Sequence, residues 1–163
     1  LSYKKVLVNY LLNMKTSQTL FNQAKLKATQ ARLEVTEVLL KNPKPHSHQE
    51  ILKKLPQNFD RVTLYRNLNW LLKKGLIHRI SGENRTWYFQ LNHEYMNSKP
   101  QARLIGKQKT SAMSHLHAHF NCKSCGQIFC LDDIHPKLSH VLPAQFFAES
   151  IELTIKGKCS RCQ

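Results

Sequence analysis

From Thr29 onward the apolar positions fall into a helical period. Ala31, Val35, Val38 and Leu39 stand at i, i+4, i+7 and i+8, the stripe of a helix laid against a core. Asn42 and Pro43 stop it, since proline lacks the backbone donor a helix needs. Ser47 with Glu50 three places later predicts a capping box that opens a second, short helix burying Ile51, Leu52 and Leu55. Pro56, Gln57 and Asn58 end it. Asp60 is the predicted cap of a third helix, with Leu64, Leu68, Leu71 and Leu72 as its stripe and Gly75 as its stop. Arg61, Tyr65, Arg66, Asn69 and Lys73 fall on its other face. Two β-prone runs, 76–80 and 86–89, then flank Ser81, Gly82, Glu83 and Asn84, a turn of hairpin length. Three helices and a hairpin predict a winged helix-turn-helix over residues 25–91. Farther on, between Ala148 and Lys156, Ile151, Leu153 and Ile155 alternate with Glu152, Thr154 and Lys156, which predicts a strand of a second domain.

Charge sharpens this picture. The 163 residues are 41% hydrophobic, enough for one ordinary domain or two small ones and too many for a disordered chain. Lys and Arg outnumber Asp and Glu by 25 to 10, giving +15, a balance suited to a polyanionic partner. The first 91 residues hold 16 basic and 5 acidic side chains, so the winged helix is the expected DNA-binding part. A helix fits a major groove, where Arg reads guanine and Tyr packs on a thymine methyl; Arg61, Tyr65 and Arg66 are the expected readers. Lys27, Arg32 and Arg79 are expected to hold phosphates, which position without specifying. The bland alternative for this face is ordinary solvation.

No run approaches the roughly 18 apolar residues of a membrane span, and a membrane partner is not expected. Lys4 and Lys5 before an apolar stretch imitate a signal peptide, but Asn9 interrupts it and no small-residue cleavage site follows. Met14 reads as a start, so residues 1–24 are expected to form an N-terminal extension, of which 1–13 are expected to lie upstream of the natural start. The expected compartment is the cytoplasm.

Cys122 and Cys125 form one Cys-x-x-Cys pair and Cys159 and Cys162 another, separated by 33 residues. Each pair can turn both sulfurs toward one ion, and four thiolates saturate zinc and leave no position for substrate. The site is therefore expected to be structural. A redox dithiol or a pair of disulfides is the alternative, though a redox motif needs one pair only and disulfides belong to oxidising compartments.

The motifs together resemble the ferric uptake regulator family: residues 60–68, the Gly75-to-Arg79 segment, a His-x-His ahead of Cys-x-x-Cys-Gly, and the closing Cys-x-x-Cys. The resemblance runs from Lys25 to Gln163. It implies an α+β protein: an N-terminal winged helix-turn-helix, then a C-terminal α/β dimerisation domain with a structural four-cysteine zinc site. It also implies a homodimeric repressor that grips a palindromic operator when a second, regulatory divalent metal is bound. The family's sensing histidines match His117 and His119. Its carboxylate five places after the second cysteine is Cys130 here, and a thiolate softens the site toward Zn2+ over Fe2+. As a small buried hydrophobe, Cys130 would instead be packing. His46 and His48, near the loop that supplies another family ligand, remain possible ligands or simply a capped helix start. The family's strand ligand is replaced by Gln90, a poor donor, with His93 or Glu94 as possible substitutes. Leu116 and Ala118 occupy the family's additional site and cannot bind metal.

By the same reading residues 92–114 form a hinge loop whose Lys99, Arg103, Lys107 and Lys109 can add phosphate contacts, and residues 115–163 form the metal-binding dimerisation domain. Period two places His115, His117 and His119 on one strand face. A zinc hydrolase or deaminase would need a His-x-Glu or His-Glu-x-x-His pairing, which does not occur; no enzyme and no small organic substrate is expected. A zinc-responsive repressor of metal-uptake genes is favoured, over an iron-responsive repressor of the same family or a constitutive zinc-ribbon protein.

Overall fold

The computed structural model describes residues 16–82, 85–92, 117–136, 142–146 and 151–163. Its first element was not expected. Thr16 accepts from the Thr19 backbone N–H and caps α1 (Ser17–Gln23), which drives Leu20 and Phe21, both fully buried, into the winged-helix core. Residues 17–23, read as part of an extension, are therefore an element of that core. Lys25, at φ 53°, ends the turn beyond α1: its N–H reaches Asn22 O and that of Leu26 reaches Phe21 O, the paired bonds of a Schellman stop.

The remaining helices begin where their capping residues place them. Thr29 caps α2 (Gln30–Lys41). Ser47 and Glu50 form the full capping box of α3 (His48–Leu52). The Asp60 carboxylate accepts from the Thr63 N–H at 2.8 Å and opens α4 (Arg61–Lys73). Leu64, Leu68 and Leu71 of α4 meet Val35 and Leu39 of α2, Ile51 of α3 and the two α1 side chains in one buried cluster. Gly75, at φ 67°, supplies the left-handed residue after α4, with Leu76 N–H bonded to Leu71 O at 3.0 Å.

The chain then turns back as an antiparallel hairpin of β2 (Ile77–Ser81) and β3 (Trp87–Leu91), to which the two-residue β1 (His46–Ser47) adds an edge. The second sheet orders β5 (Ile128–Leu131), β4 (Ala118–Cys122) and β6 (Leu153–Gly157), with β4 antiparallel to β5 and parallel to β6. The strand read at 148–156 is thus β6, displaced toward the C-terminus. Residues 93–116, which hold all of the expected 92–114 hinge but Asn92 and also His115 and Leu116, lie outside the described residues with the expectations attached to them, His93 among them, as do residues 1–15 and the question of their origin. No described helix is long and apolar enough to cross a membrane.

Candidate metal centre and nucleic-acid interface

Two groups of ligand atoms, each drawn within 4.8 Å of one another, stand out among the described residues. The first is Cys122, Cys125, Cys159 and Cys162. Corners of a zinc–sulfur tetrahedron lie about 3.8 Å apart for bonds of about 2.3 Å, and Cys125 Sγ stands 3.9 Å from Cys159 Sγ. The local turns create the pocket. Gly126, at φ 68°, folds the chain behind β4, and the parallel pairing of β4 with β6 places Cys122 beside Gly157, two residues before Cys159. Backbone N–H groups of Cys125 and Cys159 face the Cys122 sulfur and hold its thiol down at about 6. Shared hydrogen bonds with the Cys159 and Cys125 sulfurs push Cys162 up to about 12. Four crowded sulfurs cannot all shed their protons without a cation, and a closed zinc site resolves that conflict.

The second group is His78, His117, His119 and Cys130. His119 and Cys130 are direct cross-strand partners on β4 and β5, which puts imidazole and sulfur on the same face. His117, two residues earlier, shares that face, its ring centroid 4.7 Å from that of His119. The fourth member comes from the other sheet. His78 on β2 is buried, its ring 5.1 Å from His117 and 5.5 Å from His119, with Nε2 3.6 Å from Cys130 Sγ. The nitrogen–sulfur edge of a zinc tetrahedron is about 3.6 Å, so the spacing fits a four-coordinate ion. Burial pushes the Cys130 thiol up to about 12, and the Asp132 carboxylate adds to the rise. The thiol donates to Gln90 Oε1 at 2.8 Å, while Gln90 Nε2 donates to Pro43 O at 3.0 Å. Gln90, dismissed as a ligand, thus lies against the site and holds its sulfur.

His46 and His48 do not join this group. His46 is buried on β1, its Nδ1 4.0 Å from Glu50 Oε2, and burial holds its pKa below the ordinary histidine value. His48 packs as an aromatic ring, 4.1 Å from Tyr65 and edge-on to Phe89 at 4.5 Å. It packs against α4 through Tyr65 and supplies no ligand atom to the cluster. His78 is the residue that sequence reasoning passed over.

Arg61, Tyr65 and Arg66 are exposed on α4, with Tyr65 48% accessible despite its size. Lys27 is exposed and Arg79 is exposed on the hairpin, its guanidinium 4.4 Å from the Trp87 ring centre. Arg32 lies 3.7 Å over Trp70 and donates to Lys27 O at 3.0 Å. Its planar face is therefore occupied, and only its edge is left for a phosphate.

A basic winged helix joined to a sheet bearing two metal-type donor sets defines a metal-responsive, DNA-binding transcription regulator. Residues 23–100 match the Ferric uptake regulator family, the family whose motifs the chain resembles. Among solved structures, a zinc uptake regulator complexed with zinc and DNA aligns at TM-score 0.58 and 21% identity, over 91% of this chain and 95% of its own. The ferric uptake regulator of Vibrio cholerae aligns at TM-score 0.51 and 22% identity, over 85% and 96%. The iron-containing regulator of Francisella tularensis aligns at TM-score 0.51 and 21% identity, over 84% and 94%. At these identities the likeness is one of fold. Comparison with curated proteins gives no match.

Proposed function

We propose that the protein is a zinc-responsive repressor which binds a palindromic operator as a homodimer in the cytoplasm and controls metal-uptake genes. The observation that carries this reading is the donor set His78, His117, His119 and Cys130, three imidazoles and a thiol drawn from two sheets. Nitrogen and sulfur donors suit zinc; ferrous iron and manganese sites are richer in oxygen. A zinc ion there would supply a tetrahedral link with no open position for substrate. The four cysteines hold a second, structural zinc.

His78 lies on β2, three residues beyond the Gly75 stop of α4, whereas His117, His119 and Cys130 belong to the second sheet. Gathering these four side chains fixes the winged helix against the dimerisation domain. In a dimer, that sets the separation of two α4 helices, which must meet successive major grooves about 34 Å apart. Arg61, Tyr65 and Arg66 then read bases, and Lys27, Arg32 and Arg79 hold phosphates. Metal and DNA affinities are thermodynamically linked through that angle.

The test is anaerobic fluorescence anisotropy on labelled DNA from upstream of the protein's own gene, at fixed salt, with buffered free zinc or ferrous iron. Zinc tightens binding in the wild type, and the tightening is lost in His78→Ala and Cys130→Ser. Tightening by iron alone would make this an iron regulator. Unchanged binding in both variants would leave a constitutive zinc-ribbon protein.

A further inference from the structure

Asn92, the residue after β3, is 2% exposed, and its side-chain amide joins two groups of different purpose. Its Nδ2 donates to Gly75 O at 2.5 Å, the carbonyl just beyond the end of α4. Its Oδ1 lies 2.8 Å from His78 Nδ1. The first contact fixes the amide orientation, because a flipped amide would set its oxygen against the Gly75 carbonyl. With Oδ1 as acceptor, His78 Nδ1 must carry the hydrogen. The neutral ring then has its lone pair on Nε2, the nitrogen 3.6 Å from Cys130 Sγ. The Asn92 backbone N–H bonds to Leu76 O at 3.0 Å and anchors the residue.

We propose that Asn92 is the positioning residue of the sensing site. It selects the His78 tautomer whose Nε2 faces the metal and ties that imidazole to the end of the recognition helix. The proposal rests on His78 being a sensing ligand. It gives Asn92 two separable tasks: the acceptor Oδ1 serves metal affinity, and the donor Nδ2 serves transmission to α4. Outer hydrogen-bond partners of a metal-bound histidine fix its orientation and raise its basicity, and losing one costs about 10- to 100-fold in affinity.

The experiment uses the full chain with zinc in the four-cysteine site, titrated anaerobically with Co2+. The readouts are the ligand-field and thiolate-to-cobalt absorption bands, together with metal-dependent DNA anisotropy. Asn92→Ala weakens the second Co2+ equivalent by about 10- to 100-fold and leaves the four-cysteine zinc in place. Asn92→Asp keeps an acceptor for Nδ1–H but no donor for Gly75 O, so it retains near-wild-type Co2+ bands while the metal-dependent gain in DNA affinity shrinks. Imidazole 15N shifts of the metal-free wild type report the Nδ1–H tautomer of His78, a check that survives any folding defect in the variants. Wild-type Co2+ affinity in Asn92→Ala, or an Nε2–H tautomer, overturns the proposal. A His78→Ala variant that binds the second equivalent as the wild type does overturns the sensing-site reading beneath it.

Discussion

Zinc binding at the second site must displace a proton, and this gives a slope that can be measured. With its thiol pushed up to about 12 by burial and by Asp132, Cys130 carries its proton throughout the range in which the protein is handled. A ligating sulfur is a thiolate, so each ion bound there releases one proton from Cys130. The sign follows: lowering pH favours the protonated, metal-free site, and raising pH favours the metal. Above about pH 7.5 free imidazoles are already neutral, so the thiol dominates, and apparent affinity rises about tenfold per pH unit. Protein loaded with zinc in the four-cysteine site is titrated against a chromophoric chelator of known pH dependence at about pH 7.5, 8.0 and 8.5. In Cys130→Ser the affinity falls and the slope flattens toward zero, because a serine hydroxyl is not deprotonated in its place. A flat wild-type profile, with binding still abolished by His78→Ala, would mean that imidazoles alone hold the metal and that Cys130 is packing.

Three further outcomes are expected. Cys159→Ser removes one buried sulfur of the four-cysteine group; zinc content falls by one equivalent and the C-terminal sheet loses circular dichroism, since a structural zinc site contributes folding energy directly. Arg66→Ala, on the exposed face of α4, costs about 1–3 kcal/mol at one base-pair position if it reads a base, or weakens all sequences evenly and lowers the salt slope by about 1 if it holds a phosphate; an affinity panel over operator variants at two salt concentrations separates these. Lys25→Gly relieves a side chain at φ 53° and stabilises the winged helix by about 0.5–1 kcal/mol, seen as a rise in denaturation midpoint with unchanged m-value; a fall would show that Lys25 makes contacts worth more than its backbone conformation.

Local chemistry was the legible part of this sequence. Ser47 with Glu50, Asp60 with Thr63, and Gly75 each act within a few residues, so the starts of α3 and α4 and the end of α4 stand where the residues put them. The two Cys-x-x-Cys pairs announce their shared site in the same way. Helix α1 was illegible because seven residues containing only Leu20 and Phe21 as large apolar side chains show no full helical period; tertiary burial, not pattern, makes it an element.

Three of the four donors in the second metal group were legible, and the fourth, His78, was not. His117, His119 and Cys130 stand on neighbouring strands, so their meeting follows from strand period and from one cross-strand pair. His78 is separated from them by 38 residues of sequence, most of them beyond the hairpin, and no local rule joins such positions. One signal was present. On β2, His78 and Ile80 are both buried, on the face opposite exposed Arg79, so a titratable ring occupies an apolar position of the hairpin. A buried imidazole needs a partner for each nitrogen. Asn92 takes Nδ1, and Nε2 turns to the Cys130 sulfur across the boundary between the two sheets. A site confined to β4 and β5 could bind an ion without informing the DNA-binding face. A ligand from β2, the strand that follows α4, would give occupancy a mechanical consequence, so His78→Ala is expected to lose the second metal and the metal-dependent gain in DNA affinity together.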